Sequence, residues 1–328
     1  RDALDDLGRY LYSDDAGQYK AAGYEKLLIN TLNMVNYLAR GDLSGARVEA
    51  RRFATMRAYL NDKGNVKVMG DSLGSYFSGV VFELSGKADE ARIFYKDALA
   101  DASDTQAGPW NALVNESIER TKKPMRCEYA QGCGKLMVVA SVGRVAAKES
   151  RRIPIGLALT YASLVLSAHY THLAGQGLVT WVNYPEFGKA RLPGADPNLR
   201  LDQEPLTTTS ALNIDTVSRA AWLEARGAVV ASAIIRAITR AVAGETARRS
   251  VGGTMGAVLS LGGQAALTAA DTPDTRSWST LPAVVFLSYQ EVSAGEHILE
   301  FESRGIRERR VVTVKKDGWA VVPFVALR

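Results

Sequence analysis

The residues with the chemistry of an active site are few and concentrated. In "ADTPDTRSWSTLP" two carboxylates, Asp271 and Asp274, stand three apart beside Arg276, and His297 follows further on. Paired carboxylates near an imidazole are the raw material of general acid–base chemistry. No nucleophile elbow, phosphate loop or metal-ligand spacing accompanies them in the sequence. Carboxylates three apart beside an arginine more often form a structural charge network, and that is the expectation here. His169 and His172 fall at i, i+3 in "SAHYTHLAGQG", one face of a short helix. Two imidazoles without a third ligand are a weak metal signal, so they are expected to be surface or packing histidines. Neither a metal nor a cofactor is expected.

The two cysteines, Cys127 and Cys133, sit in "RCEYAQGCGK" with Gly132 and Gly134 to let the loop turn tightly. In an oxidising compartment a disulfide closing so short a loop contributes about 2 kcal/mol by chain entropy, less any strain. Two reduced thiols are the alternative.

These residues need a scaffold, and 328 residues suffice for two domains. A hydrophobic fraction of 47% and a charged fraction of 23% exclude both disorder and a multi-span membrane protein. Charge is uneven: residues 1–122 hold 16 Lys+Arg against 18 Asp+Glu, whereas 123–328 hold 24 against 17. The basic excess could attract an anionic polymer, or it could be a solvated surface, since no block of like charges is longer than two residues.

From Tyr24 to about Lys122 the pattern is helical. Leu27, Leu28, Leu32, Val35 and Leu38 recur at three-to-four spacing before a stop at Gly41. "SGARVEARRFATMRAYL" forms the partner helix, and a second pair follows in "SYFSGVVFELSG" and "ADEARIFYKDALADA". In that second pair Gly79, Phe82, Ala91, Tyr95 and Ala98 occupy the small and large positions of a tetratricopeptide repeat. The first pair matches less well: Ala46 aligns with Ala91 and Tyr37 stays in register, but Met34 falls where Gly79 sits. "GPWNALVNESIERTK" supplies a closing helix with Pro109 in its first turn. A generic array of helical hairpins is the alternative.

Past Cys133 short β-rich runs appear. "KLMVVASVG" and "KESRRIPI" are expected to pair, "GLALTYASLVL" fits strand or helix, and "GLVTWVNYPEF" is a strand. A long helix is expected from Asp215. On it Arg219, Arg226, Arg236, Arg240 and Arg248 lie within about 120° of one another, as one stripe. Arg236 and Arg240 are expected to pair with Asp271 and Asp274. Residues 251–270 carry no charge, but five glycines and Gln264 dilute their hydrophobicity. They fit a buried small-residue helix, with a membrane span as the alternative. Trp278 is expected to plug the core. Four runs, "AVVFLSYQ", "EHILEFES", "RERRVVTVKK" and "WAVVPFVAL", close the chain as an antiparallel meander. The charges of "RERR" are expected to guard an exposed edge; no interleaved aromatics support nucleic-acid binding.

With "YLARGDLSGARVEARR", "SVGRVAAKESRRIPIGLALTYAS", "IIRAITRAVAGE" and "ADTPDTRSWSTLPAVVFLSYQEVSAGEH" the chain is similar to a family of bacterial envelope proteins. That family joins tetratricopeptide-like helices to a β-rich C-terminal half, and its members are described as lipoproteins. "SAGEHILEFESRG" also resembles small β-sandwich repeats of bacterial surface proteins. The resemblance implies a periplasmic, outer-membrane-associated location in a Gram-negative bacterium, membrane association through an N-terminal anchor, and no catalytic residues. The expected fold is α+β: tetratricopeptide-like helices over 1–122, then a β-rich domain over 123–328 with helices inserted near 215–270. The expected role is a non-catalytic scaffold or adaptor binding other envelope proteins. A binding module for an anionic polymer, peptidoglycan or lipopolysaccharide, is the alternative.

Overall fold

The computed structural model describes residues 18–64, 70–100, 107–123, 127–175, 179–190, 195–251 and 272–328. Five helices come first: α1 (Gly23–Ala39), α2 (Leu43–Gly64), α3 (Ser72–Leu84), α4 (Ala88–Ala100) and α5 (Ala107–Lys122). Among the described residues, ten strands and three more helices follow. These are β1 (Cys133–Val142), β2 (Lys148–Pro154), α6 (Ile155–Ala162), α7 (Ala168–Gly175), β3 (Trp181–Phe187), β4 (Asn198–Leu201), β5 (Glu204–Pro205), β6 (Thr209–Asn213), α8 (Ile214–Val251), β7 (Val284–Ser293), β8 (Gly295–Ser303), β9 (Ile306–Val314) and β10 (Trp319–Ala326). The class is α+β, with an N-terminal helical array and largely antiparallel sheets behind it.

The chain forms two compact units. One holds Ala21–Ala146, Ala190–Ser218 and Trp278–Arg328; the other holds Arg1–Lys20, Ala147–Lys189 and Arg219–Ser277. The units run across, not along, the boundary expected at residue 122, because helices and sheets are packed together in the first of them.

In that first unit β10, β1, β7 and β6 form one sheet in that order, and β5, β4, β8 and β9 form a second. β1 is the centre of the first sheet. It is antiparallel to β7, with Lys135 opposite Glu291, and parallel to β10, with Lys135 opposite Trp319. Its two faces explain its apolar run, since a strand buried on both sides cannot alternate. Leu136, Val138, Ala140 and Val142 meet Leu199, Leu299, Phe301 and Phe324 in the core between the sheets. The Phe301 and Phe324 rings stack there 4.8 Å apart. The other β1 face, with Lys135 and Met137, meets Val80, Glu83 and Arg120 of the helices.

The helical array closes through three glycine–aromatic contacts. A Cβ at Gly79 on α3 would lie 2.5 Å from the Tyr95 ring on α4, so only glycine lets the helices approach this closely. The ring of Phe53 on α2 fills the space beside Gly74 on α3, and the Tyr37 ring on α1 fills that beside Gly45 on α2. Ala46, Phe82, Ala91, Tyr95 and Ala98 are buried in the array. Arg57 on α2 binds Asp71, at the start of α3, at 2.8 Å and Asp97 on α4 at 2.7 Å, so one guanidinium ties three helices.

The expected pairings differ in two places. β1 does not pair with β2, which lies in the other unit opposite β3, with Lys148 facing Phe187. The four closing strands are shared between sheets: β8 and β9 form the hairpin, while β7 and β10 flank β1. Local turns fix the hairpin, but burial on both faces of β1 draws its two neighbours from distant sequence.

In the second unit the β2–β3 ribbon packs with α6 and with the part of α8 after Ser218. "GLALTYASLVL" begins this layer as helix α6. Tyr184 of β3 stacks with Trp222 of α8 at 6.5 Å. Among the described residues no helix is long and apolar enough to cross a membrane. The uncharged stretch at 252–270 lies outside the described residues, as does Asp271.

Candidate functional site

The densest polar cluster lies in the first unit, where α3 and α5 meet β1 and β7. Glu83, at the end of an otherwise uncharged helix, accepts hydrogen bonds from Arg120 Nε at 2.9 Å and Nη2 at 3.0 Å. It also accepts from Lys135 Nζ at 2.6 Å and from the Tyr95 hydroxyl at 2.7 Å. The Arg120 guanidinium lies 3.9 Å from the centre of the Tyr289 ring on β7. Burial alone would raise the Glu83 pKa. The bonds and charge of Arg120, joined by Lys135, overcome it and hold the carboxyl down to about 2. Burial pushes the Tyr76, Tyr95 and Tyr289 hydroxyls upward, so all three stay neutral. A carboxylate with four donors has no acceptor site left for a substrate, and it takes up a proton only in strong acid. The cluster therefore fastens the helices to the sheet.

The second polar constellation is His297 on β8. Its Nδ1 lies 2.6 Å from Asp202 Oδ2 and its Nε2 2.9 Å from the Ser293 carbonyl. Asp202 Oδ1 also accepts the Ile298 N–H at 2.8 Å. Burial would lower the imidazole pKa, but two acceptors favour the doubly protonated ring, and the net direction is upward. Burial likewise opposes ionisation of Asp202, and the Ile298 and His297 bonds reverse this, holding its pKa down. His297 thus pairs with Asp202, a partner the sequence reading did not name. His169 and His172 are exposed on α7.

In the second unit Asp274 accepts from Arg276 Nε at 2.7 Å and Nη2 at 2.8 Å, as well as from the Arg276 N–H at 3.0 Å. Burial would raise its pKa; Arg276 holds it below the usual value. The arginine stripe on α8 is not a solvent face. Arg236 is 1% exposed with Nη1 3.5 Å from Ser232 Oγ, and Arg240 is buried. Arg226 covers the Tyr161 ring at 4.1 Å, and Arg219 donates to the Gly188 carbonyl at 2.8 Å. The side chain of Arg248 lies outside the described residues.

Trp278 departs from its expected role. It is half-buried, its indole N–H donates to Thr280 Oγ1 at 2.9 Å, and its backbone N–H donates to Glu25 at 3.1 Å. The core of the array is filled by Trp110, Tyr76, Tyr95, Phe53 and Phe77. Glu25 is the reason: its other oxygen takes the Ala22 N–H at the start of α1, so it anchors the Trp278 backbone beside that terminus. Cys127 and Cys133 are joined as a disulfide, with Cα atoms 5.5 Å apart. Among the described residues no group of three His, Cys, Asp or Glu side chains is placed to hold a metal ion.

No family model matches this chain, and neither a curated protein nor a solved structure matches it.

Proposed function

We propose that the protein is a non-catalytic periplasmic scaffold or adaptor that binds other envelope proteins. The observation that carries this reading is the Glu83 carboxylate, which is fully occupied by Arg120, Lys135 and Tyr95. It ties α3, α4 and α5 to one another and to the sheet at β1, so the helices are presented on a fixed base. The helices meanwhile leave Ile29, Val48 and Ile93 exposed at 46%, 45% and 61%, side chains suited to contact with another protein. The disulfide supports an oxidising compartment. The resemblance read from the sequence motifs implies an outer-membrane-associated location, which is part of the proposal. The anionic-polymer alternative has less support, because Arg236 and Arg240 are buried and Arg226 is stacked on a tyrosine.

The test is co-purification of the tagged full chain from native membranes, repeated with Ile29→Glu and Ile93→Glu. The expected result is a reproducible set of envelope proteins that is lost with either substitution. A set unchanged by both would count against binding through the helices, and retention only of sacculi at low salt would favour the polymer.

A further inference from the structure

The first unit has an open side. β9 and β10 end their respective sheets, and between them and the C-terminal end of α1 lies a groove of about 650 Å³. Leu38, Arg40, Arg310, Lys315, Trp319 and Val321 are in its wall. Among the described residues the lining includes those three cations and no carboxylate.

The backbone of β10 is set up to accept another strand. Lys135 N–H donates to the Gly318 carbonyl, and Gly143 N–H donates to that of Ala326. In a parallel pair with this register, even-numbered residues of β10 turn their N–H and C=O groups to β1. Trp319, Val321 and Pro323 turn theirs outward. Pro323 has no N–H to offer, and its carbonyl is already taken by Arg310 Nη1 at 2.7 Å, so the edge is closed there. Trp319 and Val321 remain, facing the groove ahead of that stop. Arg310 is held in place over the Phe324 ring at 4.5 Å and by Glu308 at 2.6 Å. Arg40 and Lys315 are exposed at the groove.

We infer that this groove binds an extended acidic segment of a partner protein, which adds a short strand to β10 at Trp319 and Val321 and sets its carboxylates against Arg40 and Lys315. Main-chain bonding supplies the affinity in such strand addition, and side-chain chemistry supplies the choice of partner. Arg40 and Lys315, in a lining without a carboxylate among the described residues, favour an acidic occupant and repel a basic one. β9 is a poorer acceptor: Arg307 and Arg309 stud its outer face, paired to Glu302 at 2.8 Å and Glu300 at 3.9 Å, the charged guard expected of an edge.

The inference rests on the adaptor reading and names the chemistry of one partner. The experiment titrates the full chain with a fluorescein-labelled Val-Glu-Val-Glu-Val-Glu peptide and follows anisotropy, with the Val-Lys-Val-Lys-Val-Lys peptide as control. Amide hydrogen exchange by NMR is measured in parallel. The acidic peptide should bind saturably and slow exchange at Trp319 and Val321. The double reversal Arg40→Glu/Lys315→Glu alters only exposed side chains and should weaken binding about tenfold or more at low salt. Equal binding of the basic peptide, no binding of the acidic one, or binding that survives the reversal and leaves both amides unprotected would overturn the proposal. So would a chain that elutes as a dimer with those amides already protected, since a second copy would then occupy the edge. If membrane partners still co-purify while no peptide enters the groove, the groove fails and the adaptor reading stands.

Discussion

Replacing Glu83 with glutamine tests whether one carboxylate fastens the helices to the sandwich. The substitution keeps the shape and removes the charge that faces Arg120 and Lys135. Glu83 and Arg120 each have only 9% of their side chain exposed, so Arg120 would be left buried with its charge uncompensated. A carboxyl pKa of about 2 in the fold against an ordinary 4.5 corresponds to roughly 3 kcal/mol of stability when the group is ionised. Because the folded value is the lower one, that contribution is complete above pH 4.5 and is lost as pH falls towards 2. Hydrogen exchange read by mass spectrometry over 72–84 and 107–122 gives the local effect. At pH 7 exchange by opening of these helices should accelerate roughly 100-fold in Glu83→Gln. Between pH 4.5 and 2 the wild-type chain should approach the variant. Glu83→Leu/Arg120→Leu should be less destabilised than Glu83→Gln, since no buried charge is left at Arg120, with the Tyr95 hydroxyl losing its acceptor as the remaining cost. The reasoning is refuted if Glu83→Gln leaves exchange in both helices within a factor of about two of wild type, below the roughly 0.4 kcal/mol that a factor of two represents.

Gly79→Ala should destabilise the array by about 1–3 kcal/mol in urea titrations, because its Cβ would overlap the Tyr95 ring. Gly108→Ala, whose Cβ would meet nothing, should be neutral or stabilising in the same assay. The His297 ring should titrate above 6.5 by NMR. Its contribution to stability should be complete below 6.5 and be lost as pH rises through the folded value, a dependence absent from His297→Gln. Asp274→Ala should lower stability by roughly 1 kcal/mol or less, since Arg276 is partly exposed, and a fall in the urea midpoint measures it.

Elements that depend on neighbours in sequence were legible before the structure. The helices of the array follow from three-to-four spacing, and Gly79 with Tyr95 from repeat positions. Tyr37 was also recognisable, but its glycine is Gly45, eight residues along, where the repeat register directed attention to Met34. What depends on distant residues was not legible. The lone acid closing "SYFSGVVFEL" was the available hint that Glu83 needs a buried partner, yet Arg120, Lys135 and Tyr289 lie on three later elements. Asp202 meets His297 across two strands that no local pattern pairs. The arginine stripe was correctly spaced, but a helical wheel cannot tell a wet face from one covered by aromatic rings and other chain segments.

The parallel pairing of β1 with β10 has a consequence for how the chain reaches this state. Lys135 and Trp319 are roughly 180 residues apart, and such remote contacts are costly to form early in folding. During synthesis the helices and β1 emerge long before β7 and β10, so both edges of β1 stay uncovered until β7 is made, and one of them until β10. A chain truncated before Trp319 would present a long apolar strand edge to its neighbours. Its tendency to aggregate would then be set by the wait for the last strand, not by any defect in the helices.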